Sequence, residues 1–166
     1  MIILNKGLRT GIIAGVLAFI IGIAVTLFTV YQVAPSVMML EDESPYGFEE
    51  TVERFEAEVD AAGWSILNVH DMAAIMDNHG HDVESIKIFD LCSSEYSAEI
   101  LELDEERIVS PMMPCRVSIY EHSDGTTYIS RMNASMMAGM FGGQIERTMD
   151  VATEESEAII DAVLAD

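Results

Sequence analysis

Residues 109–133 read VSPMMPCRVSIYEHSDGTTYISRMN, and this stretch decides the fold. Pro111 and Pro114 exclude a central strand before Cys115, because proline cannot donate to a sheet ladder. Beyond them Val117 and Ile119 alternate with Ser118 and Tyr120, the period of a half-buried strand. His122-Ser123-Asp124-Gly125 then supplies a turn, with Asp-Gly tolerating positive φ. Residues 126–132, TTYISRM, return as the second strand. The pattern predicts an antiparallel β-hairpin. After it, Asn133 or Ser135 opens a short helix with Met136, Met137 and Met140, which Gly142-Gly143 breaks.

Working outward, residues 48–62 read as an amphipathic helix, with Phe48, Val52, Phe55 and Val59 along one face and Gly63 as its stop. Residues 64–70 and 84–91 read as strands, and 72–78 and 94–103 as helices. Residues 145–164 form the last helix, with Ile145, Met149, Ala152, Ile159, Ile160, Val163 and Leu164 as apolar positions. A hairpin adjoining alternating strands and helices predicts an α+β domain. Its sheet is mostly antiparallel, with the hairpin in the C-terminal half and helices packed on one face.

The chain before this domain has a different character. Residues 11–33 carry no charge and are long enough, at 1.5 Å rise per residue, to cross a bilayer core of roughly 30 Å. Lys6 and Arg9 precede them and Glu41, Asp42 and Glu43 follow. The positive-inside rule then predicts a single-pass signal-anchor in the cell membrane. Residues 1–10 would be cytoplasmic, 11–33 the span, 34–47 a linker broken by Pro35, Pro45 and Gly47, and 48–166 the domain outside the cytoplasm. The run is long for a cleaved signal peptide, and no clean A-x-A site lies near Ala34. Gly11 and Gly15 form a small-xxx-small pair that could bring two anchors together.

The formal net charge of the 166 residues is −21. All 29 acidic residues lie beyond position 40, and Lys6 and Lys87 are the only lysines. So acidic a surface repels nucleic-acid phosphates, which excludes nucleic acid as a partner. Acid excess with few lysines is compatible with a high-salt habitat, and equally with an ordinary acidic domain.

Residues 46–164 resemble the DUF302 family, small α+β domains without an assigned biochemical activity. The likeness is carried by FEETVERFEAEVDAAGW, by IKIFDLCSSEYSAEIL and, most strongly, by MMPCRVSIYE followed by DGTTYISRMN. The chain departs from the family in its N-terminal anchor, and in Ser93-Ser94 after Cys92, where relatives often carry Asn-Pro. The resemblance implies a compact fold that pairs as a homodimer. It implies no catalytic residue.

Chemistry centres on Cys92 and Cys115, each at a strand boundary. Three readings stand: a disulfide, the default outside the cytoplasm; two buried structural thiols; or reactive or ligating thiols, with Arg116 lowering the pKa of Cys115. Seven of the twelve methionines fall between positions 112 and 149. Met132, Met136 and Met140 share a face if the helix starts early. They could ligate soft Cu(I) or a haem, or simply pack as an adaptable core or dimer surface. His70, His79 and His81 would hold a metal only if strand and loop converge, and their spacing matches no standard zinc motif. The favoured expectation is a non-catalytic binding or interaction domain with its site near Cys92, Cys115, Arg116, Met132, Met136 and Met140. The alternative is a thiol-dependent redox, sulfur-handling or soft-metal or haem protein using the same residues.

Overall fold

The computed structural model describes residues 6–165, and the side chains of Lys6, Leu8 and Arg9 fall outside the description. Residues 1–5, half of the expected cytoplasmic N-terminus over 1–10, therefore lie outside it. The chain forms two compact units, one ending at Val37 and the other beginning at Met38.

The first unit is helix α1, Lys6–Met38, all but its last residue. Its stretch Thr10–Met38 has a mean hydropathy of 2.6 and is long and apolar enough to cross a membrane. The helix runs further than residues 11–33 because Pro35 sits near its end, where proline forfeits a single backbone bond. Ser36 Oγ donates to the Val33 carbonyl there.

The second unit is α+β. Strands β1 (Met39–Glu43), β2 (Ser65–Asp71), β3 (Ile86–Cys92), β4 (Cys115–Glu121) and β5 (Thr127–Met132) form one sheet in the order β1-β5-β4-β3-β2, antiparallel throughout. Helices α2 (Phe48–Ala61), α3 (Met72–Asp77), α4 (Ser94–Leu101), α5 (Ala134–Ala138) and α6 (Gly143–Leu164) complete it, with a 3-10 helix over Glu106–Met112.

Strand β1 corrects the expected linker over 34–47. Met39 pairs with Met132 and Glu43 with Tyr128, so the segment closes one edge of the sheet. Three consecutive acids hide it as a strand. Glu41 and Glu43 are exposed, while Asp42 points to the helix side and meets Arg131.

The hairpin falls where the sequence puts it. Glu121 pairs with Thr127, and Gly125 adopts φ 86° in the turn. Thr126 donates its backbone N–H to Asp124 Oδ1 at 3.0 Å. β4 begins earlier than Val117, at Cys115, immediately after Pro114. Its first residues pair with β3, Cys115 opposite Leu91 and Arg116 opposite Asp90.

One sheet face carries Phe89, Leu91, Val117, Ile119 and Ile129, all buried. Phe48, Val52, Phe55 and Val59 of α2 and Ala152, Ile159, Ile160 and Val163 of α6 pack on it. Phe55 meets Phe89 edge-on, with ring centroids 5.1 Å apart. A second cluster joins Ile100, Val109, Ala138, Ile145 and Met149 at the end of α6. Side chains alternate along a strand, so the other face carries Asp90, Arg116, Ser118, Tyr120, Tyr128 and Ser130. Tyr120 and Tyr128 stack there, with centroids 5.8 Å apart.

Arg131 is the one cation on the helix-side positions of β4 and β5. Its side chain is 10% exposed. Nε donates to Glu157 Oε1 at 3.0 Å, Nη2 to Glu157 Oε2 and Nη1 to Asp42 Oδ2. One guanidinium thus ties β1 and α6 to β5. Replacing Arg131 with Met should cost about 2 kcal/mol, less than breaking a fully buried pair because both carboxylates keep access to water. Urea unfolding of the full chain in detergent measures this. A loss below about 0.5 kcal/mol, the level of an ordinary surface change, would contradict the role given to Arg131.

Candidate functional site

An apolar cleft of about 40 Å³ opens between the β4–β5 end of the sheet, α5 and α6. The strands contribute Cys115, Arg116, Arg131 and Met132, α5 contributes Met137, and α6 contributes Met149, Ala152, Thr153 and Ser156. Met112, the last residue of the 3-10 helix, also lines it. Five sulfur-bearing side chains from five separate elements thus converge on one space. A neighbouring cavity of about 20 Å³ is lined by Cys92, Met113, Trp64 and Tyr96, and shares Cys115 and Met149 with the first.

Local structure explains these placements. Cys115 starts β4 on the same side as Val117 and Ile119 and therefore faces the helices. Asn133 caps α5, its side chain accepting from the Met136 backbone N–H at 3.1 Å. The cap ends β5 at Met132 and sets Met137 over the cleft. On α6, Met149 follows Ile145 by four residues and precedes Ala152 by three, which puts it on the buried stripe.

The cysteines are free thiols. Cys115 lies opposite Leu91, so Cys92 is one residue past that pair. Its sulfur sits 3.3 Å from Ser97 Oγ at the start of α4. Burial pushes the Cys115 thiol up, and Cys92 adds to the shift. Arg116 does not offset this. Its guanidinium is turned to Asp90, with Nε donating to Oδ1 at 3.0 Å, and its side chain is 63% exposed. Asp90 is held below the usual carboxylate range by its hydrogen bond with His70, 2.9 Å from Oδ2, and by Arg116, against the opposing effect of burial.

Of the residues singled out from sequence, Cys115, Arg116 and Met132 line the cleft and Cys92 the adjoining cavity. Met132 is the last residue of β5 and α5 begins only at Ala134, so Met132, Met136 and Met140 share no helical face. Met136 is half-buried outside the cleft lining, and Met140 is 72% exposed. His70 is engaged by Asp90, while His79 and His81 are exposed in the loop after α3. Among the described residues, no group of three or more His, Cys, Asp or Glu is placed to hold a metal. Met112, Met137 and Met149 enter the site unforeseen. Only Met149, on the apolar stripe of a long amphipathic helix, carries a sequence signal for burial.

Two features give the cleft its chemistry. Neither cavity is lined by His, Asp or Glu, so no general base faces Cys115. Thr153 Oγ1, in the cleft wall, is buried and has no hydrogen-bond partner. Such an orphan hydroxyl invites a water or one polar ligand atom.

A buried neutral thiol reacts slowly, since the thiolate is the nucleophile. In a Cys92→Ser chain, iodoacetamide should modify Cys115 more slowly than glutathione at pH 7.5, because burial raises the thiol's pKa and so lowers its thiolate population. The rate should climb steeply above pH 9 and on adding urea. Mass spectrometry follows the reaction, and alkylation as fast as glutathione would contradict the burial of this thiol.

Residues 40–165 match the family described as "Domain of unknown function DUF302". A search of curated proteins gives no match. Among solved structures the fold is similar to "Crystal structure of uncharacterized conserved protein DUF302 from Bacillus stearothermophilus", with a TM-score of 0.69 and 22% identity. The alignment covers 77% of this chain and 99% of the other, and at that identity it speaks to the fold alone. With the family match running from Leu40 in β1 through the end of α6, the chain belongs to the DUF302 family.

Proposed function

We propose that this protein is a membrane-anchored domain, displayed outside the cytoplasm, that binds a small soft ligand in the cleft beside Cys115. The observation that carries this reading is the lining itself: Cys115, Met112, Met132, Met137 and Met149 around a largely apolar space. Sulfur is polarizable and adaptable, which suits a ligand of few atoms held by dispersion. With no base beside Cys115, binding is favoured over thiol catalysis. The space is far too narrow for a porphyrin as it stands. The orphan Thr153 hydroxyl supplies one polar contact.

Ethanethiol is a suitable probe, with a soft atom, a short apolar tail and one weak donor. Titrated into the full chain in detergent with ¹³C-methyl methionine, it should move the methyl signals of Met112, Met137 and Met149 saturably. Met72, Met76 and Met140 should stay fixed. Shifts spread over every methionine without saturation would sink the reading.

The orientation rests on Lys6 and Arg9 before the apolar helix and on the acids after it. Pairing with a second copy rests on the sheet face bearing Ser118, Tyr120, Tyr128 and Ser130, which α2 and α6 leave uncovered. One variant tests both, Ser118→Cys in a Cys92→Ser, Cys115→Ser background. On intact cells a membrane-impermeant maleimide should label the introduced thiol, and mild oxidation should crosslink two chains. Labelling only after lysis would reverse the orientation. Efficient labelling without any crosslink would remove face-to-face pairing.

A further inference from the structure

We infer that the soft ligand of this cleft is a single Cu(I) ion, bound by the sulfur of Cys115 and by methionine thioethers from among Met112, Met137 and Met149, with Met132 at the mouth. The inference rests on the cleft being a ligand site and adds the identity of its occupant.

Every side chain lining the cleft that could bind a metal, apart from two hydroxyls, carries sulfur, one as a thiol and four as thioethers. Thiolate and thioether donors select Cu(I), whereas Zn²⁺ needs histidine or several thiolates and hard cations need oxygen. Among the described residues no His, Cys, Asp and Glu cluster offers a competing site.

The cleft is apolar, and the two arginines at its edge already have carboxylate partners, Arg116 with Asp90 and Arg131 with both Asp42 and Glu157. One thiolate with one monovalent cation adds no net charge to this interior. A divalent ion on that one thiolate would leave a positive charge among apolar side chains with no carboxylate in the lining to meet it, which is costly.

Met132 is 36% exposed at the rim, and the inner sulfurs lie behind it on less exposed positions. A space of about 40 Å³ takes an ion among side chains without rearranging the sheet. Flexible thioethers can close on it from three directions, because Met112, Met137 and Met149 stand on separate elements.

The Cys115 S–H bond breaks, its proton goes to solvent, and a Cu–S bond forms. Copper stays Cu(I) and no electron is transferred. Burial keeps the empty thiol protonated, and a coordinated cation takes the proton's place.

The test uses the full chain in detergent, without oxygen, with Cu(I) supplied from a bicinchoninate buffer under ascorbate. The expected result is one Cu(I) per chain and an all-sulfur first shell by X-ray absorption. Cys115→Ser should weaken binding at least about 100-fold, as loss of the only thiolate in the set implies. Met149→Leu, close in volume, should keep the fold by circular dichroism and weaken binding less. Excess Zn²⁺ should not displace the copper. Failure to take Cu(I) from bicinchoninate, a nitrogen or oxygen shell, or a Cys115→Ser chain that binds like the parent would each overturn the inference. If ethanethiol saturates the cleft while Cu(I) does not bind, the copper assignment fails and the ligand site stands. If neither binds, both fail.

Discussion

A buried guanidinium must be paired, and in this fold that requirement organises the helix side of the sheet. Arg131 sits on β5 among side chains that otherwise form the apolar core. Burial opposes its charge, and its hydrogen bonds with Glu157 and Asp42 more than compensate, so it is held firmly protonated. Asp42 comes from the edge strand β1 and Glu157 from α6. Satisfying both fixes the register of β1 against β5 and the rotation of α6 about its axis. With Glu157 turned to Arg131, the positions one turn to either side, Thr153 and Ile160, lie along the cleft. The ion pairs are thus the frame, and the cleft is the space they leave between frame and core.

What fills that space follows from the same geometry. The core ends where β4 and β5 run out toward Pro114 and Asn133, and there Phe, Ile and Val give way to Cys and Met. Rigid branched side chains on five different elements would need closely matched shapes, whereas methionine tolerates mismatch. The bland account is therefore that sulfur plugs an irregular gap. Two observations weigh against it. The gap is not plugged, and a buried hydroxyl, Thr153 Oγ1, is left in it without a partner. A well-filled core at native density leaves neither.

Much of this was legible in the residues. Phe48, Val52, Phe55 and Val59 announce α2 because helical period and burial coincide, and all four are buried. The hairpin is legible because Asp124-Gly125 permits one local geometry. β1 was not legible. Met39-Leu40-Glu41-Asp42-Glu43 looks like a solvated run, and its pairing partner lies about ninety residues away. Its middle acid is stabilised by Arg131, which no local pattern records. The site was legible in part for the same reason. Cys115 and Arg116 follow from the strand that begins after Pro114. Grouping Met132 with Met136 and Met140 applies a helical period across a strand end, and the cap at Asn133 breaks that period. Met112 and Met137 reach the cleft only through tertiary packing.

The central claim is that the functional centre of this DUF302 protein is the sulfur-lined cleft at Cys115, not the histidine loop or the uncovered sheet face. Anomalous diffraction at the copper edge, from crystals of the full chain grown anaerobically with Cu(I), tests it most directly. The account predicts one peak per chain within bonding distance of Cys115 Sγ, among Met112, Met137 and Met149. A strong peak at His79 and His81, or at His70 beside Asp90, with an empty cleft, would contradict it.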